Sequence, residues 1–158
     1  MIKEQIKVGF CVAYDWHFLE YAIPQIYTQA DLICLSIDVN RTSWGGNEFE
    51  FDEEGFKNLI NRLDTSHKIK VYRDNFSLPE LSPMQNEVRQ RNKIAEFMGK
   101  GGWHIQLDAD EYFLDFGKFV SFLHSSKFTR PVNICCPLYI LFKQINSGYL
   151  LRTIAFGI

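Results

Sequence analysis

The order of segments in this 158-residue chain predicts an α/β fold, a mostly parallel sheet flanked by helices with a β-hairpin at the C-terminal end. Three observations carry this expectation. Strand-like runs alternate with stretches of helical periodicity, as in successive βαβ units. Each of the first four strand-like runs is followed by an aspartate, at Asp15, Asp38, Asp74 and Asp108. Two later apolar runs flank Asn146-Ser147-Gly148, a tight hairpin turn.

The first strand is expected from Lys7 to Tyr14. A helix follows on Phe18, Leu19, Ala22, Ile23, Ile26 and Tyr27, with a kink at Pro24, which offers no N–H to the preceding turn. The second strand, Leu32 to Ile37, opens into a polar, glycine-containing loop from Asn40 to Gly55. A short helix near Phe56 to Leu63 leads to the third strand, Lys68 to Tyr72. The next helix is the best specified, because Ser82 offers an N-cap, Pro83 suits the first helical position and Gln85 completes a capping box. Gly99 supplies its stop. At ~100° per residue, Met84, Val88, Ala95 and Met98 form its apolar stripe, with Arg91 inside the stripe and Arg89 outside it. The fourth strand is Trp103 to Leu107, an amphipathic helix covers Phe116 to His124, and the hairpin strands are Leu138 to Ile145 and Tyr149 to Phe156.

With 46% apolar and 15% aromatic residues, the chain is expected to bury a core as one domain. Its net charge of −2 is unevenly placed. Residues 116 to 158 hold five basic side chains and no Asp or Glu, so the first 115 carry 12 basic and 19 acidic groups, a balance of −7. The absence of a dense Lys/Arg stripe argues against binding duplex nucleic acid. Cys11, Cys34, Cys135 and Cys136 lie in apolar runs without a Cys-x-x-Cys pair, and all four are expected to be buried, reduced thiols. Met1 to Gln5 has no signal-peptide character and no apolar run approaches ~18 residues. A cytoplasmic protein without a transmembrane segment is expected.

Asp108-Ala109-Asp110, followed at once by Glu111, places three carboxylates in four residues directly after a strand. Crowded carboxylates repel one another, and a hard cation such as Mg²⁺ or Mn²⁺ relieves them while holding phosphate. A solvated acidic turn is the competing explanation. In an open parallel sheet, the ends at Asp15, Asp38, Asp74 and Asp108 lie along one edge, where ligands bind. Asp15 and Asp74 also suit plain turn or capping roles. Arg91, on a buried helix face, needs an anionic partner, either a core carboxylate or a bound phosphate.

These residues resemble the family 2-like glycosyltransferases with the GT-A fold. The resemblance spans roughly residues 6 to 115. It rests on Ala13-Tyr14-Asp15 after the first strand, Ile37-Asp38 after the second, Gln90-Arg91-Asn92-Lys93-Ile94-Ala95 on a helix, and Leu107-Asp108-Ala109-Asp110-Glu111. It implies a nucleotide-sugar donor site in which Asp38 contacts the base, Tyr14 and Asp15 border the base pocket, and Asp108 contacts ribose or metal. Asp110 would hold the Mg²⁺ or Mn²⁺ that bridges the diphosphate, and Arg91 would sit beside the phosphates or brace the aspartates. The implied activity is sugar transfer, with inversion, to an acceptor that could be a glycan, a lipid-linked molecule or a protein.

The sequence departs from that family in several places. The first strand lacks the proline often found before the tyrosine, and Asp15 stands where Asn is usual. The loop Val39 to Trp44 lacks the usual second acid. No Asp or Glu follows Asp115 to take the acceptor's proton. The chain therefore reads as a single GT-A-like domain, incomplete at its C-terminus, with residues 1–115 as the nucleotide-sugar-binding part and 116–158 as the start of the acceptor part. The apolar C-terminus is also expected to offer a surface for association. Two alternatives are a non-catalytic nucleotide-binding domain and a haloacid dehalogenase-like phosphatase. The latter's Asp-x-Asp opens its domain and is followed by Thr or Val where this chain has Tyr112.

Overall fold

The computed structural model describes residues 4–154. Four strands, β1 (Ile6–Val12), β2 (Leu32–Asp38), β3 (Ile69–Asp74) and β4 (Trp103–Asp108), form a parallel sheet in the order β3-β2-β1-β4. The helices are α1 (Leu19–Tyr27), entered through a 3₁₀ turn at Trp16–Phe18, α2 (Glu53–Leu63), α3 (Pro83–Met98) and α4 (Phe116–Ser125). An antiparallel hairpin, β5 (Leu138–Ile145) and β6 (Gly148–Ile154), completes the described chain. The predicted α/β class with a C-terminal hairpin is therefore the observed architecture, and the parallel sheet is of the GT-A-like, Rossmann-like kind. The chain divides into two compact units after Ser126.

In the first unit, the chain runs from β1 through α1 to β2 and through α2 to β3, then back through α3 to β4 beside β1. Crossovers between parallel strands are right-handed as a rule, and by that rule the reversal of direction sets α3 on the sheet face opposite α1 and α2. Every residue of β1 is buried, as expected of a central strand covered on both faces. Gly9 lies beneath α3, and a Cβ there would collide with the methyl of Ile94. Lys7 is also buried, and its ammonium donates to the carbonyls of Gly99 (2.9 Å) and Lys100 (3.2 Å), satisfying the C-terminal end of α3.

The start of α3 follows its local chemistry, with both halves of the Ser82–Gln85 capping box formed. Its buried face does not follow the expected stripe. Met84 and Val88 are exposed, and the inward side carries Asn86, Gln90, Ile94 and Met98, a rotation of about 100°. The cause is hydrogen bonding across the fold. Asn86 Nδ2 donates to the carbonyls of Trp44 and Leu78, and Gln90 Nε2 donates to Ser36 Oγ at 2.8 Å. Two amides with fixed partners orient the helix more strongly than a few apolar side chains.

Asp52 caps α2 by accepting from Gly55 N–H (2.9 Å), so that helix begins earlier than expected. Asp115 caps α4 in the same way through Lys118 N–H. Cys11 and Cys34 are buried free thiols, but Cys135 and Cys136 are exposed, correcting the expectation for that pair. They lie in the irregular segment before β5 rather than in a packed strand.

The hairpin turns at Asn146 and Ser147, and pairs Leu141 with Leu151 and Gln144 with Tyr149, with a bulge between Leu141 and Lys143. Tyr139, Leu141, Phe142, Tyr149 and Leu151 are exposed. The expected extension of the last strand to Phe156 lies outside the described residues. Among the described residues, no helix is long and apolar enough to cross a membrane.

Candidate functional site

The strand order creates a switch point between β1 and β4, because connections leave β1 toward β2 but return to β4 on its other side. Such a crevice at the C-terminal strand ends is where open α/β sheets bind ligands. A cavity of about 290 Å³ opens there. Its floor includes Cys11 and Asp108, paired in the β1–β4 register. On one side stand Asp15, Asp108 and Asp110. On the other stand Thr42, Ser43, Trp44 and Phe49, from the loop after β2, with Tyr14 at the rim.

The acidic side is braced by α3. Arg91 Nη2 donates to Asp108 Oδ1 (2.9 Å) and Arg91 Nε to Glu87 Oε1 (3.0 Å), while its guanidinium carbon lies 5.7 Å from the centre of the Trp44 ring. The turn after β4 closes on itself. Asp108 N–H donates to Glu111 Oε2 (2.9 Å), and Glu111 N–H returns to the Asp108 carbonyl (3.0 Å). Ala109 is buried within this turn and Asp110 is exposed.

Burial raises the carboxyls of Asp15, Asp108 and Glu111 above the ordinary range, and the charge of Asp110 pushes each in the same direction. Arg91 pulls Asp108 back toward ionisation. The cluster thus favours an added positive charge. Burial also pushes the Cys11 thiol up to about 12, so it lines the floor as a neutral packing group.

Asp38 lies at the far side and is almost fully buried. Its Oδ1 accepts from the N–H groups of Asn40 (2.8 Å) and Thr42 (3.3 Å), and its Oδ2 from those of Phe76 (2.7 Å) and Ser77 (3.0 Å). One carboxylate therefore fixes the start of the loop after β2 and the segment after β3. Arg41 turns that loop with a φ of 55° and is held by the Asp38 carbonyl (2.7 Å), an ion pair with Glu53 and the face of Phe51. Trp44 Nε1–H donates to Gln90 Oε1 (2.6 Å), and Ser36 Oγ passes the chain of bonds to the Phe10 carbonyl.

The structure places Tyr14, Asp15, Asp38, Asp108 and Asp110 around one cavity, and Arg91 reaches it through Asp108. Asp74 is not among the lining residues, contrary to a cleft lined by all four strand-end acids. On the outer strand β3, its carboxylate accepts from Tyr72 Oη (2.7 Å) and from Lys93 Nζ (2.5 Å) of α3. Thr42, Ser43, Trp44, Phe49 and Gln90 also line the cavity, and no motif in the sequence marks them as site residues. A tryptophan in a polar loop after a strand's C-terminal end was the available signal for Trp44. Among the described residues, no three His, Cys, Asp or Glu side chains are grouped to hold a metal ion by themselves. Neither protein-family models nor curated proteins show a match to this chain.

Proposed function

We propose that this chain is a glycosyltransferase domain that binds a nucleotide-diphosphate sugar through a divalent cation and transfers the sugar, with inversion, to an acceptor. The observation that carries this reading is the convergence of Asp15, Asp108 and Asp110, with Arg91 behind them, on the cavity at the switch point. The donor set suits Mg²⁺ or Mn²⁺. Asp108 and Asp110 offer hard oxygens, and such ions are commonly held by one or two carboxylates together with substrate phosphates and water, without an all-protein cage. When bound, the cation would offset negative charge gathering on the departing nucleoside diphosphate.

The chain's own residues prepare the site in other ways. Arg91 favours the ionised form of Asp108 and adds a fixed positive charge beside the acids, and Glu87 holds its second edge. Glu111 locks the turn that presents Asp110. Titration with nucleoside diphosphates, with and without Mn²⁺, tests the reading. Metal-dependent binding by the wild type and its loss in Asp110→Ala are expected; binding indifferent to metal or to that substitution would refute it.

One observation favours a second reading, a nucleotide-binding domain without transferase activity. Asp108, one of the two acids assigned to the cation, already has its charge paired with the Arg91 guanidinium at 2.9 Å. Metal-dependent hydrolysis of sugar nucleotides, with water as acceptor, separates the two, since a passive binder shows none.

A further inference from the structure

We propose that the wall formed by Tyr14, Trp44 and Phe49 holds the donor's base by its aromatic faces rather than by hydrogen-bonded readout, so that the site accepts purine and pyrimidine diphosphates alike. This inference rests on the nucleotide-sugar reading above and specifies which donors fit it. Its starting point is the commitment of Asp38. An ionised carboxylate has about four lone-pair positions, and here four backbone N–H groups take them. No acceptor remains on Asp38 for a base N–H, even though its position beside the cavity suggests one.

Several other polar groups of that wall are similarly engaged. The indole N–H of Trp44 and both ends of the Gln90 amide are paired with each other and with Ser36. The N–H of Thr42 goes to Asp38, and that of Ser43 goes to the Asn47 carbonyl (2.8 Å). Ser43 Oγ already accepts from Asn47 N–H. Aromatic surface remains. Tyr14 is 67% exposed, and its ring meets Phe49 edge to face with centroids 6.4 Å apart.

The distances suit this division of labour. Asp108 and Asp110 come from the end of β4 and the loop carrying Trp44 and Phe49 leaves β2, with β1, which leads into Tyr14 and Asp15, between them. Two strand spacings amount to about 10 Å, a gap that ribose must span between phosphates at the acids and a base at the wall. Stacking is tolerant of base identity, whereas a site built on hydrogen bonds to a substrate rejects the wrong partner by orders of magnitude.

Calorimetric titration with uridine, cytidine, adenosine and guanosine diphosphates in Mn²⁺, alongside inorganic pyrophosphate, tests the proposal. The four nucleotides are expected to bind within about tenfold of one another. Phe49→Ala should weaken all four together by roughly 5- to 150-fold, the equivalent of ~1–3 kcal/mol of lost stacking, while leaving pyrophosphate affinity within about threefold. Phe49→Leu, which retains apolar volume for folding, should show the same pattern. A preference above about a hundredfold for one base, or equal losses for nucleotides and pyrophosphate, would overturn the stacking proposal while leaving the donor site standing. Failure of both pyrophosphate and nucleotides to bind in Mn²⁺ would overturn the donor reading and this proposal together.

Discussion

Asp38→Asn isolates the role of the most heavily bonded side chain in the cavity wall. The carboxylate accepts four N–H groups, two from the segment that follows β2 and two from the segment that follows β3. Asparagine retains one carbonyl oxygen and replaces the other with an NH₂, which cannot accept. Its best orientation keeps the oxygen on Phe76 and Ser77, whose bonds are 2.7 and 3.0 Å, and turns the NH₂ toward Asn40 and Thr42. Two bonds to an ionised acceptor are then lost, at about 1.5–3 kcal/mol each. The longer 3.3 Å bond from Thr42 points to the lower end, a destabilisation of about 3 kcal/mol.

Against a total of about 5–15 kcal/mol for a typical domain, this is a large fraction. Urea unfolding followed by circular dichroism should show a midpoint lower by about 1–3 M. Any change in the nucleoside diphosphate affinity of the folded variant should be alike for all four bases, since Asp38 holds the loop that carries Trp44 and Phe49 and is assigned no contact with a base. A loss below about 1 kcal/mol would refute the bonding argument. A stable variant whose affinity falls for one base and not for the others would show that Asp38 contacts the base after all.

Two further predictions concern the frame around the site. Gly9→Ala forces a methyl against Ile94 in the fully buried β1–α3 contact, and overpacking of this kind costs about 1–3 kcal/mol, measurable as a lower thermal midpoint; an unchanged midpoint would mean that α3 can shift without penalty. Hydrogen bonds from Lys93 and then Tyr72 hold the Asp74 carboxyl down to about 2. A folded-state value below the unfolded one of ~3.9 means that this contribution is present above pH ~4 and is lost as pH falls through about 2. Lys93→Met should therefore reduce stability at neutral pH and flatten its decline between pH 4 and 2; parallel acid-unfolding profiles for the two proteins would contradict the assignment.

Parts of this molecule are legible in sequence because their causes are local. Ser82, Pro83 and Gln85 specify a helix start within four residues, and the structure forms it. Strand-end aspartates are legible for a related reason, since a parallel sheet brings every C-terminal end to one edge. The rotation of α3 is not legible, because the partners of Asn86 and Gln90 lie on Trp44, Leu78 and Ser36, and only the folded chain brings them together. Asp38 shows the same limit. Its placement could be read from β2, but the N–H groups of Phe76 and Ser77 that occupy it come from 38 and 39 residues further along.

The guanidinium of Arg91 over the Trp44 ring joins the two walls of the cavity, which gives the protein a built-in optical readout. Indole emission responds to nearby charge, and an Arg91 drawn toward bound phosphate would alter the field across Trp44. Of the chain's three tryptophans, Trp44 is the one lining this cavity. Ligand-dependent fluorescence that disappears in Trp44→Phe would therefore report occupancy without any label. An identical signal from that variant would place its source at Trp16 or Trp103.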